Sequence, residues 1–229
     1  MQRTAWLAFA AVFLLMPLLL QAAVGTSPQF NKEKTPADDH NKIRLSNQLT
    51  SILSNESSRL RAIQEGKKAS TFCINCHGID GNSKFTEVPN LAGQNPSYLL
   101  TQLLKLSHGE RRNAFMERLV KKLSGDDLVN ISVYFASTAV NKKSASNTPQ
   151  VAVGKTLFLN KCQECHTPSA HGDGDVPRLA GQNPEYLSVS LKRYRAGDGQ
   201  RINQKMQTVA NQLTNEQINA LAAYLSVQQ

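Results

Sequence analysis

One stretch of this chain is written twice, and the duplication limits the architecture more than any other feature. Sliding the sequence along itself by about ninety residues lays Cys73-Ile74-Asn75-Cys76-His77 over Cys162-Gln163-Glu164-Cys165-His166. Leu91-Ala92-Gly93-Gln94-Asn95-Pro96 recurs letter for letter as Leu179-Ala180-Gly181-Gln182-Asn183-Pro184, and Tyr98-Leu99 returns as Tyr186-Leu187. Asn113-x-x-Met116 matches Asn203-x-x-Met206, and Tyr134 matches Tyr224. Order and spacing are kept throughout, so a whole domain has been duplicated.

Each copy reads as helical, with little alternating strand pattern. Asn95-Pro96 and Asn183-Pro184 place a capping side chain before a proline suited to the first helical position. Those helices should run to about Ser107 and Arg195, where Gly109 and Gly197 let the chain turn away. A further helix opens at Ser124-x-x-Asp127 in one copy and at the capping box Thr214-x-x-Gln217 in the other. Leu123 with Leu128, and Leu213 with Ile218, sit where a hydrophobic staple closes. Apolar residues from Ile43 through Leu45, Leu49, Ile52, Leu53, Leu60 and Ile63 follow helical periodicity and lead into the first copy, whereas residues 25 to about 40 look unstructured. That extension has no counterpart in the second copy, and its apolar stripe reads as packing surface. The polar stretch Asn141 to Pro149 reads as an exposed linker.

All four cysteines lie in the two Cys-x-x-Cys-His pentads. The pattern suits a covalently attached haem: two thiols add to the vinyl groups and the adjacent histidine sits beneath the iron. A four-cysteine zinc site leaves the two histidines unexplained. A thioredoxin-like pair needs a strand-helix context that is missing. Disulfides across two residues would close no useful loop. Cys73, Cys76, Cys162 and Cys165 are therefore expected to attach two haem c groups, with His77 and His166 as iron ligands.

A thioether as sixth ligand favours the reduced iron. Beyond the amino-terminal apolar run the only methionines are Met116 and Met206, 39 and 40 residues after His77 and His166. They are expected to complete the two irons, although methionine more often fills a core. His40, His108 and His171 have no partner in the other copy and are expected at the surface, His171 lying near enough to His166 to sense a propionate or pH. Each ligating imidazole needs an acceptor for its other N–H. Pro89 and Pro177, 12 and 11 residues after the histidines, offer carbonyls, or only shape a turn. Asn113 and Asn203 either orient the methionine sulfur or form the turn before it. Modules of roughly 80 residues with 6% aromatic residues have thin cores, so without haem they should fold poorly.

The start of the chain resembles an export signal: Met1-Gln2-Arg3, then an apolar run from Ala5 to Leu20. Leu20-Gln21-Ala22 and Ala23-Val24-Gly25 offer cleavage points. An uncleaved anchor is the other reading, the run being slightly short for a bilayer and interrupted by Pro17. Without Arg3 the chain carries 25 basic and 17 acidic residues, a charge of +8, which haem propionates would lower to about +4. Export separates the chain from cytoplasmic nucleic acid, so no nucleic-acid partner is expected. A mildly basic surface suits an acidic redox partner or an anionic membrane face; scattered lysine and arginine that only maintain solubility is the plainer reading.

From about residue 60 to 229, the paired pentads, the repeated Leu-Ala-Gly-Gln-Asn-Pro and the paired methionines resemble the class I cytochromes c, specifically the dihaem cytochrome c4 family. The resemblance implies an all-α fold of two tandem class I cytochrome c domains, their haems close enough to exchange electrons. It implies a periplasmic carrier, often membrane-associated, serving a terminal oxidase or reductase; similar dihaem chains are cytochrome subunits of flavin-containing sulfide dehydrogenases. The rival of another class is a dihaem peroxidase, which needs an open iron. The parse is a signal peptide over 1–23, an extension over 24–55, domains over 56–140 and 151–229, and a linker over 141–150. Two departures from the family stand out: the extension, and Thr167-Pro168-Ser169-Ala170, read as inserted where the first copy has Gly78-Ile79-Asp80-Gly81. Duplication further predicts a pseudo-twofold pair meeting near Leu91 and Leu179. It also predicts that Arg178, where the first copy has Asn90, faces the second haem and raises its potential.

Overall fold

The computed structural model describes residues 36–141 and 147–229. The expected signal segment with its cleavage points, and positions 142–146 of the expected linker, lie outside the described residues. Among these residues all regular structure is helical. The first half contains α1 (Pro36–Ser54), α2 (Glu56–Ala69), α3 (Ile74–His77), α4 (Pro96–His108), α5 (Ala114–Val120) and α6 (Gly125–Ser137). The second half repeats the last five of these as α7 (Pro149–Lys161), α8 (Gln163–His166), α9 (Pro184–Ala196), α10 (Gln204–Ala210) and α11 (Asn215–Ser226).

Each domain is organised by the crossing of its first long helix over its last: α2 on α6, and α7 on α11. The crossing is close because a glycine sits at its centre. A Cβ on Gly66 would run into the Asn130 carbonyl and lie 2.8 Å from Tyr134 Cβ; one on Gly154 would meet the Ala220 carbonyl and Tyr224 Cβ at 2.7 Å. The last helices start at capping boxes in both domains, Ser124 with Asp127 and Thr214 with Gln217, each worth about 1 kcal/mol. Behind those caps Leu128, Val133 and Phe135 are buried in one domain and Ile218, Leu221 and Leu225 in the other. The staple residues Leu213 and Ile218 share one core cluster, and Leu123 packs on the cluster that holds Leu128.

The extension is more ordered than its sequence implies. Helix α1 begins at Pro36, before the first periodic residue, and Asn55 ends the run by capping α2 through Ser58 N–H at 2.9 Å. Leu45 and Leu49 are buried in the core of the first domain, and Gln48 Nε2 donates to Asp126 at 2.9 Å. Helix α7 likewise starts two residues before the expected domain edge, with Thr148 capping Val151 N–H and Pro149 at the first helical position.

A second difference concerns the prolines that open α4 and α9. Asn95 and Asn183 make no side-chain cap to their own helices. Asn95 Nδ2 donates to the carbonyls of Val176 (2.6 Å) and His171 (3.1 Å), and Asn183 Nδ2 to those of Val88 (2.7 Å) and Phe85 (3.0 Å). Both amides reach into the opposite domain and donate to its loop carbonyls, so the capping signal is spent on joining the domains. The repeated Leu-Ala-Gly-Gln-Asn-Pro segments thus lie on the seam between the domains, related by a pseudo-twofold, as the duplication predicts.

Candidate functional site

The short helices α3 and α8 bring each pentad into a single turn, so that the cysteines and the histidine of one copy lie within one stretch of backbone. All four thiols are free. Burial pushes the Cys73 thiol up, and burial raises Cys162 to about 11, which keeps them neutral and apolar.

His77 and His166 are buried. His77 Nδ1 lies 2.9 Å from the Pro89 carbonyl, and His166 Nδ1 lies 3.1 Å from the Pro177 carbonyl. A carbonyl only accepts, so each Nδ1 carries the proton and each Nε2 keeps its lone pair. Burial lowers the pKa of both rings, outweighing the proline carbonyls that favour the protonated form; Arg111 lowers His77 further. The result is two neutral imidazoles with a fixed tautomer, each with one nitrogen able to bind a metal.

Met116 and Met206 are half-buried near the starts of α5 and α10. Asn113 and Asn203 cap these helices: their Oδ1 atoms accept from Met116 N–H (2.9 Å) and Met206 N–H (3.0 Å). The asparagines therefore fix the backbone that presents the thioether, and of their two expected roles the turn-forming one is seen. His40 and His171 are exposed. His108 is partly covered and stands 3.7 Å from Asp38 of α1.

Thr167 to Ala170 is not an insertion. Thr167 (φ 63°) and Ala170 (φ 58°) take the left-handed backbone of Gly78 (φ 84°) and Gly81 (φ 80°). The same bonds follow: Leu91 N–H donates to Gly81 O and Leu179 N–H to Ala170 O, both at 2.7 Å. The four residues after each histidine keep the same turns despite the changed residues, and the copies part only beyond them, where the second loop is one residue shorter before its proline.

Arg178 lies on the seam. Its Nε donates to the Ala180 carbonyl at 3.0 Å, and its guanidinium packs near Gly93 of the first domain. The charge is thus placed between the two domains and does not face the second site alone, and burial lowers its pKa.

The residues that sequence reasoning missed sit beside this seam. Arg201 is buried; it donates to Tyr186 Oη (2.6 Å) and Tyr194 Oη (3.1 Å), and stacks over both rings. Arg111 of the first domain also donates to Tyr186 Oη at 3.2 Å, and the buried Tyr98 phenol of the first domain lies within the field of Arg201. Burial alone would raise the Tyr186 phenol, but Arg201 and Arg111 outweigh it and bring it down to about 8. Among the described residues no carboxylate pairs with Arg201. A buried guanidinium facing only phenols is costly unless an acid completes the cluster, so the donor set fits the acidic side chains of a haem. The signal was available: Arg111 and Arg201 each stand five residues before their methionine.

A family model described as cytochrome c matches residues 151–228. The chain is similar to cytochrome c4 of Pseudomonas aeruginosa, 35% identical over 174 residues that cover 70% of this chain and 85% of that one. It is similar to the thiosulfate dehydrogenase electron acceptor of Thiomonas intermedia, at 32% identity over 68% of this chain and 78% of that protein. Among solved structures it resembles reduced recombinant cytochrome c4 from Pseudomonas stutzeri. That match has a TM-score of 0.68 and 31% identity, and it covers 72% of this chain and 98% of that one.

Proposed function

The chain belongs to the cytochrome c4 family, and from that premise we propose which of its residues carry out dihaem electron transfer. It is an electron carrier rather than an enzyme, it holds two covalently bound haem c groups, and it works with redox protein partners. Cys73 and Cys76 attach one haem, and Cys162 and Cys165 the other. His77 and His166 ligate iron through Nε2 while Pro89 and Pro177 hold the Nδ1 protons, and Met116 and Met206 supply the sixth ligands. Arg111, Arg201, Tyr98 and Tyr186 receive the propionates. When bound, each haem supplies a one-electron ferric–ferrous couple whose potential is set by its ligands and by burial.

The observation that carries this reading is the pair of buried imidazoles with Nδ1 engaged by matching proline carbonyls. A fixed, neutral ring bonds iron with little rearrangement on electron transfer. Met116 and Met206 bound to the irons as well would leave no position for peroxide or oxygen, which separates a carrier from a dihaem peroxidase. The absorption spectrum of the oxidised protein at neutral pH tests it. Two methionine-ligated haems show the weak far-red iron–sulfur band at full intensity; a high-spin haem contradicts the carrier reading.

The partner is proposed to be a membrane-bound respiratory complex, such as a terminal oxidase or reductase, met in the periplasm with peripheral membrane association. The excess of basic over acidic residues supports this. No helix among the described residues is long and apolar enough to cross a membrane. A second reading has a specific observation behind it, the similarity to a thiosulfate dehydrogenase electron acceptor: the chain then takes electrons from a sulfur-compound oxidoreductase, as a cytochrome subunit in the manner of a flavocytochrome sulfide dehydrogenase. Purification from native soluble and membrane fractions decides between them. Co-purification with such an enzyme supports the subunit, and a lone chain in every fraction excludes it.

A further inference from the structure

The seam contains one arrangement that neither domain could make alone. The peptide group joining Pro89 to Asn90 is used from both ends: its carbonyl faces His77 Nδ1 at 2.9 Å, and its N–H donates to Gln182 Oε1 of the other domain at 2.7 Å. The peptide joining Pro177 to Arg178 is used in the same way, its carbonyl 3.1 Å from His166 Nδ1 and its N–H donating to Gln94 Oε1 of the first domain at 2.7 Å. Each glutamine also donates through Nε2 to the next carbonyl, Gln182 to Asn90 O (2.9 Å) and Gln94 to Arg178 O (3.0 Å). Both glutamines are buried, each only 5% exposed. Their orientation is fixed, because Gln94 Oε1 also accepts from Asn95 N–H and Gln182 Oε1 from Asn183 N–H. A flipped amide would point its own hydrogens at two N–H donors.

We propose that Gln94 and Gln182 are positioning residues that tune the iron of the opposite domain, each through one peptide group onto the other domain's proximal histidine. The proposal rests on the assignment of His77 and His166 as iron ligands. A peptide whose N–H is engaged is a better acceptor at its carbonyl, with bonds in a chain strengthening one another by roughly 10–30%. A stronger acceptor on Nδ1–H makes the imidazole more basic and favours ferric iron. Losing the glutamine oxygen therefore raises the potential of the haem across the seam. By the same linkage, oxidation of one iron tightens the bond that docks the domains.

The test uses the dihaem protein with Gln182→Met and Gln94→Met, following each haem by the NMR signal of its axial methionine methyl during redox titration. Gln182→Met is expected to raise the haem of Cys73 and Cys76, and Gln94→Met that of Cys162 and Cys165. The shift is about twofold in the ferrous-to-ferric ratio, ~18 mV at about 59 mV per tenfold for one electron. The Nδ1 proton of the crossed histidine should also exchange faster with solvent. Gln182→Glu keeps an acceptor on Asn90 N–H while a carboxyl oxygen replaces the donor to Asn90 O and weakens the docking, yet exchange at His77 should stay slow; a role confined to holding the domains together speeds it in both variants and overturns the proposal. A shift in the variant's own domain, equal shifts in both haems, or no shift also overturns it. Absence of two methionine methyl signals in the unaltered protein contradicts the ligand assignment and overturns the proposal with it.

Discussion

Thr167 holds φ at 63° where the first domain has a glycine, and a β-branched residue there costs on the order of 1–3 kcal/mol. Thr167→Gly is therefore expected to stabilise the second domain by about 1 kcal/mol, seen as a higher guanidinium midpoint with an unchanged slope; an unchanged midpoint shows that the backbone is unstrained. The residues nearest the chemistry were legible because duplication filtered them. Pentads, prolines and methionines stood out by recurring in register, and the structure places the proline carbonyls on the histidines. Arg111 and Arg201 recur as well, but arginines in a basic chain read as solvated charge until burial shows otherwise. If they receive propionates, Arg201→Gln removes a positive charge that opposes ferric iron. Both potentials should then fall by on the order of tens of millivolts, because the cluster spans the seam; unchanged potentials in the titration remove Arg201 from the site.

Among the helices, caps and crossings carry different weights. Caps are local and were readable: Ser124 and Thr214 behave as their spacing implies. Asn95 and Asn183 carry the same local signal but turn to the other domain, a choice set by a partner that no local pattern can reveal. The glycines of the helix crossings were equally silent, since a glycine inside a helical pattern marks close approach only once its neighbour is known. Gly154→Ala should force α7 away from α11 and cost about 3 kcal/mol of the second domain's stability. Thermal unfolding of the haem-loaded protein should show it; a loss below about 0.5 kcal/mol means the crossing relaxes freely. Helix α1 behaves as an added layer on the first domain alone. Its buried Leu45 and Leu49 contribute about 1.5–3 kcal/mol each. A chain lacking residues 36–54 should lose stability in the first domain while the second keeps its midpoint.

At the scale of the whole molecule, the pseudo-twofold explains why one hexapeptide survives unchanged in both copies. Under that symmetry the same side chains meet the opposite backbone twice, so Gln94 and Gln182, and Asn95 and Asn183, each have one job performed in two directions. Recurrence alone showed that the segment mattered, yet only the docked pair shows that it reads the other domain's backbone. On the proposed assignment, two domains held this way carry two one-electron sites, His77 with Met116 and His166 with Met206. The direct measurement of that claim is a redox titration of the dihaem protein beside its Met116→Ala and Met206→Ala variants, with the far-red iron–sulfur band followed throughout. Loss of a thioether removes its preference for ferrous iron, so each variant should lower the potential of one haem, lose half of the band and leave the other wave essentially in place. A variant whose two waves and band match those of the unaltered protein contradicts the account, because its methionine then ligates neither iron.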